Sequence, residues 1–130
     1  MHAMPGVTHR MPGIVATAHW FDAPLDHSRP DGRRITLFAR SVTAPSREHD
    51  DLPWLLFLQG GPGHEAFRPA GKDYWLGRAL QDYRVLLLDQ RGTGRSTPID
   101  RQTLGRLGGY GPSSATSPWM AVARCASQAR

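Results

Sequence analysis

Cysteine is almost absent from this chain: Cys125 is the only one in 130 residues. A single cysteine allows no intrachain disulfide and no cysteine-rich zinc site, so nothing in the composition demands an oxidising compartment. Lysine is equally scarce. Of sixteen basic residues only Lys72 is a lysine; the rest are arginines, scattered along the chain with Arg33-Arg34 the only adjacent pair. A nucleic-acid surface gathers its cations into a patch or stripe, so no nucleic-acid partner is expected despite the formal charge of +5. No apolar run approaches the roughly 18 residues of a membrane span. Met1 to Pro12 lacks the apolar core of a secretory signal. The expectation is a soluble, cytoplasmic protein with no membrane partner. The histidines (His2, His9, His19, His27, His49 and His64) show no HExxH or other metal spacing, so no metal site is expected. Only His64 lies beside a candidate site.

What is present is a central stretch from Leu55 to Ser96. Two apolar runs, Leu55–Leu58 and Val85–Leu88, each end in a glycine-rich turn. Such runs suit strands buried on both faces. About two dozen residues between them are enough for a right-handed β-α-β crossover. Asp73 can cap a short helix over Tyr74–Leu80, whose Trp75, Leu76, Ala79 and Leu80 form one apolar face. Upstream, Gly13–Phe21 and Arg34–Val42 read as strands around the turn signals of Pro24–Gly32, an antiparallel hairpin. A further short helix is possible over Asp100–Leu107. Residues 1–12 show no periodicity and are expected to be a disordered lead. Residues 13–108 form the domain. Residues 109–130 contain no acid, are rich in Ala, Ser, Gly and Pro, and are expected to be an unrelated or disordered tail.

The first turn, Gln59-Gly60-Gly61-Pro62-Gly63, can present backbone N–H groups to a ligand. Acyl-transfer enzymes need such donors to hold the oxyanion of a tetrahedral intermediate, and in the α/β-hydrolase fold one donor comes from the loop after the third strand. The same residues fit a rival pattern. Gly61-x-Gly63-x-x-Ala66 followed by Asp89 matches a dinucleotide-binding (Rossmann-like) fingerprint, although Pro69 and Gly71 would break the helix that pattern needs at Gly63. The second turn, Asp89 to Ser96, has neither the Gly nor the Lys of a phosphate loop. It reads as a structural turn involving Asp89, Arg91, Gly92 and Gly94, in which Asp89 and Arg91 can pair.

Three segments together resemble a known family: Pro24-Leu25-Asp26-His27, Gln59-Gly60-Gly61-Pro62-Gly63 and Asp89-Gln90-Arg91-Gly92-Thr93-Gly94-Arg95-Ser96. They are similar to the N-terminal part of prolyl aminopeptidases (proline iminopeptidases), serine peptidases of the α/β-hydrolase fold, over about Val15 to Gly108. The resemblance implies an α/β fold in which an antiparallel hairpin leads into a parallel sheet, here incomplete. It implies a peptide substrate losing N-terminal proline, a Ser–His–Asp triad, and no cofactor. It places the oxyanion donor on the Gly61 N–H, with Gln59, Gly60, Pro62 and Gly63 shaping the loop.

The chain departs from the family twice. Gln59 stands where the motif opens with His, and a backbone donor should survive that change. More importantly, no Gly-x-Ser-x-Gly occurs: Pro98 follows Gly94-x-Ser96 and Ala115 follows Gly111-x-Ser113 where the second glycine should be. Nucleophile, acid and base are all missing, as is the family's helical cap. The expectation is a truncated or frame-shifted fragment, inactive by itself.

Overall fold

The computed structural model describes residues 3–60, 63–72 and 74–106. The elements in chain order are β1 (Ala3–Met11), β2 (Ile14–Pro24), β3 (Arg34–Thr43), a 3-10 turn (Pro45–Arg47), β4 (Trp54–Leu58), α1 (Tyr74–Ala79), β5 (Arg84–Asp89) and α2 (Arg101–Arg106). The strands form one sheet in the order β1-β2-β3-β5-β4. Three of its pairings are antiparallel, and β4 with β5 is parallel. The sheet is therefore mixed, with few helices. The connection from β4 through α1 to β5 is the expected crossover.

The hairpin of β2 and β3 runs from Val15 opposite Thr43 to Pro24 opposite Arg34. Its turn is closed by the Leu25 N–H donating to the Arg33 carbonyl, 2.8 Å. The Asp26 carboxylate accepts from the Ser28 N–H (2.9 Å) and hydroxyl (2.7 Å), an Asx turn. Those hydrogen bonds hold the Asp26 carboxyl below its ordinary range.

Two expectations are corrected. The supposed disordered lead contains β1, which pairs with β2 from Ala3 opposite Phe21 to Met11 opposite Ile14. Its sequence shows no period because an edge strand needs only a backbone partner. The register shift between Pro5 and Thr8 accommodates Pro5 and Gly6 within the pairing. Second, β4 and β5 are not buried on both faces. In β5, Val85, Leu87 and Asp89 are buried while alternate residues are only half-buried. In β4, Trp54, Leu56 and Leu58 are 52%, 50% and 56% exposed. A continuous apolar run marks a strand that could be covered twice; among the described residues, only one side of β4 is covered.

The covered side carries the main core. Ile14, Ala16, Val42, Val85 and Leu87 pack with Ala66 and with Leu76 and Leu80 from α1 and its end. Leu76 and Leu80 are 0% and 2% exposed, each stabilising the domain by about 1.5–3 kcal/mol through burial. Trp75 stacks on Phe57 at 4.9 Å between ring centroids, and Phe67 meets both rings edge-on. The apolar helix face read from the sequence is thus the packing face. A smaller cluster of Ala23, Ile35 and Leu37 lies on the other side of the hairpin. Asp100 accepts from the Thr103 N–H at 2.7 Å at the start of α2. No described helix is long and apolar enough to cross a membrane. Asp73, the expected cap of α1, and the tail 109–130 lie outside the described residues.

Candidate functional site

Because β4 and β5 are parallel, with Leu58 beside Leu88, both glycine turns leave the sheet at the same end. There they meet the hairpin turn. Arg91 Nη1 donates to the carbonyls of Pro24 (3.1 Å) and Leu25 (2.9 Å), and Nη2 donates to His27 Nε2 at 2.7 Å. Arginine has no acceptor, so His27 Nε2 is the unprotonated nitrogen of its ring. Gln90 Nε2 donates to the Gln59 carbonyl at 3.2 Å. The three sequence segments of the family resemblance, distant along the chain, are joined here through two consecutive side chains. The pairing of Arg91 with Asp89 that the sequence allowed is not formed; Arg91 is taken by the hairpin carbonyls and His27.

Asp89 works in the opposite direction, inward. It is 3% exposed. Its carboxylate accepts from the Ala66 N–H and the Arg95 N–H, each at 3.0 Å. One side chain therefore fixes the end of β5, the segment after the first turn and the close of the second turn. Ser96 and Thr97 extend this scaffold. The Ser96 hydroxyl donates to the Asp89 carbonyl at 2.6 Å and accepts from the Phe38 N–H at 2.8 Å. Thr97 Oγ1 accepts from the Thr36 N–H and donates to the Thr36 carbonyl. These hydroxyls continue the β3 ladder where β5 stops. Thr97 takes φ 34°, a costly angle for a branched residue, and its two bonds to β3 offset that cost. Gly94 takes φ 50° and lies against the Asp89 carboxylate and the Glu65 Cβ. No side chain fits there.

The first turn differs. Gln59 is half-buried and Gly60 exposed, and Gln59 Nε2 donates to the Gly60 carbonyl at 3.3 Å. Gly63 takes φ 106°. A methyl group at Gly60 or Gly63 would meet nothing within 4 Å. Gly61 and Pro62 lie outside the described residues, and with them the expected oxyanion donor. His64 is exposed beside the turn.

The dinucleotide reading is overturned at two points. No helix opens at Gly63: residues 63–72 are non-helical and α1 starts at Tyr74. The Asp89 carboxylate, which would bind a ribose, is buried and held by two backbone N–H groups. The sequence reading missed Gln90 and Thr97. Their only signal was position, a polar side chain directly beside each end of the Asp89–Ser96 turn.

Elsewhere, His19 Nε2 lies 2.8 Å from Ser41 Oγ, and burial holds the imidazole below its ordinary range. This is a cross-strand contact within β2 and β3, away from the strand ends. A half-open cavity of about 120 Å³ lined by Gly13, Lys72, Gly77 and Leu80 sits at the opposite end of the sheet from the turns. Among the described residues no group of three or more His, Cys, Asp or Glu could hold a metal.

Comparison with known proteins agrees with the resemblance. The chain is 55% identical over 96 residues to the proline iminopeptidase of Aeromonas sobria, covering 73% of this chain and 23% of that protein. It is 46% identical over 107 residues to a proline iminopeptidase of Aspergillus aculeatus, covering 79% of this chain and 23% of the relative. The chain is thus a homologue of proline iminopeptidases that spans about a quarter of their length. No family model matches it.

Proposed function

We propose that this chain is the oxyanion-loop portion of a serine aminopeptidase of the α/β-hydrolase fold, acting on peptides with N-terminal proline, and that these residues alone perform no hydrolysis. One observation carries the reading. The first glycine turn opens into free space at Gly60 and Gly63 while the structure behind it is fixed by hydrogen bonds from Gln90 and Asp89. A transition-state donor must be unoccupied yet preorganised, since its partner is the charge that develops on the substrate. The Gly61 N–H takes that role. The nucleophile and its base must come from sequence these 130 residues do not contain.

The test is a chimera of the Aeromonas sobria enzyme in which Val15–Gly108 replaces the matching segment. It is expected to hydrolyse proline-naphthylamide, whereas the isolated chain is not. Gly61→Pro in the chimera removes the donor and should lower kcat about 10²–10³-fold. A folded but inactive chimera, unchanged kcat in the Gly61→Pro variant, or serine-inhibitor-sensitive turnover by the isolated chain would each overturn the reading.

A further inference from the structure

Behind the turns, two guanidinium groups share one aromatic ring. The Arg40 Cζ lies 5.3 Å from the Phe38 ring centroid and the Arg95 Cζ lies 5.1 Å from it. Phe38 is 1% exposed and also packs on Trp20 at 5.1 Å. Arg40 points from β3 to the covered side of the sheet, since it pairs with the buried Leu87. The segment carrying Ala66 and Arg68 crosses that side, held by the Ala66 bond to Asp89. Burial holds the Arg40 guanidinium below the usual arginine range. Repulsion from Arg68 and then Arg95 adds to this, and Asp89 opposes it.

Arg40 and Arg95 each gain from the ring, but the charges of Arg68 and Arg95 act against the charged form of Arg40, and a bound anion would relieve that repulsion. Asp89 offsets part of this repulsion, but its oxygens accept backbone N–H groups and no arginine donor. Among the described residues the Glu65 carboxylate pairs with Arg68, at 4.0 Å, and no carboxylate pairs with Arg40 or Arg95. Arginine presents a planar fork of donors matched to the oxygens of phosphate or carboxylate.

We propose that Arg40, Arg95 and Arg68 form a binding site for a small oxyanion, a phosphate or a carboxylate, above the Phe38 ring. The arrangement stands apart from the aminopeptidase reading, because it uses neither the first turn nor a nucleophile.

The test follows arginine Nε–H signals of the ¹⁵N-labelled 130-residue chain during titration with inorganic phosphate or acetate, at constant ionic strength against chloride. Saturable shifts at Arg40 and Arg95 are expected with at least one of the two anions. Saturation by phosphate alone identifies a phosphate site, and by acetate alone a carboxylate site; both together identify a general oxyanion site. Arg95→Gln should weaken binding about tenfold or more, the usual worth of a charged hydrogen bond. Arg68→Gln should weaken it less, because Arg68 is shared with Glu65. Arg84→Gln, which loses a partner of Asp51, should leave binding unchanged. Shifts that fail to saturate, that chloride reproduces, or that persist unaltered in Arg95→Gln would overturn the site.

Discussion

The two glycine turns look alike in sequence and differ in kind. In the second, Gly94 is there because space is lacking: it abuts Asp89 and Glu65. In the first, Gly60 and Gly63 border open space. One turn is a closed joint, built from the Asp89 carboxylate and the Ser96 hydroxyl. The other borders open space at Gly60 and Gly63 and is tied to that joint through Gln90. Glycine alone does not distinguish a binding loop from a scaffold; the surroundings of its missing side chain do.

The comparison is broken most severely at the joint. Asp89→Ala leaves the Ala66 and Arg95 N–H groups without their acceptor, at about 1–3 kcal/mol for each buried group. A loss of about 2–5 kcal/mol in urea-induced unfolding is expected. A loss below about 1 kcal/mol, within the ordinary range of single substitutions, would show that the carboxylate does not hold the turns together. The contrast between the turns is sharpened by alanine at single glycines. Gly94→Ala forces a side chain into the Asp89 carboxylate at a positive φ and should cost about 1–3 kcal/mol. Gly60→Ala meets nothing and should stay within about 0.5 kcal/mol of the parent. Equal costs at the two positions would erase the distinction.

The smallest effect comes from His19, which belongs to neither turn and so supplies a baseline. Its pKa is lowered from 6.5 by burial, so the unfolded chain binds the proton more tightly. Its stabilising contribution is present above the unfolded pKa and is lost as pH falls through the window below 6.5 toward the folded value. His19→Gln should flatten the dependence of Tm on pH below that point. The Asp89→Ala loss should appear at neutral pH, where His19 contributes no change. An unaltered pH profile in His19→Gln would place the titrating group elsewhere.

The hairpin, the crossover, the two turns and the helix face were legible because each rests on local chemistry. Asp26 and Ser28 form an Asx turn from neighbouring residues, and Leu76 and Leu80 mark a face by spacing. β1 was not legible, since its order comes from a partner strand rather than from its own pattern. The exposure of Trp54, Leu56 and Leu58 was hidden for the converse reason: an apolar run records what a strand can bury, not what covers it. At the site, Asp89, Arg91 and the glycines were all singled out, but the partners were not. The hydrogen-bonded turn is there, but the Asp89–Arg91 pair that the sequence allowed is not, because Asp89 accepts from Ala66 and Arg95 and Arg91 donates to the hairpin.

The sequence by itself determined the family resemblance, the strand and helix segments of the central stretch and the absence of a nucleophile motif, because these depend on residue type and spacing. Only the tertiary structure decided that Asp89 faces inward and Arg91 outward, that Gly94 is hemmed in while Gly60 and Gly63 border open space, and that Arg40 and Arg95 meet on Phe38. Those outcomes depend on which distant backbone groups reach a side chain first, and the parallel pairing of β4 and β5 settles that by bringing their ends together.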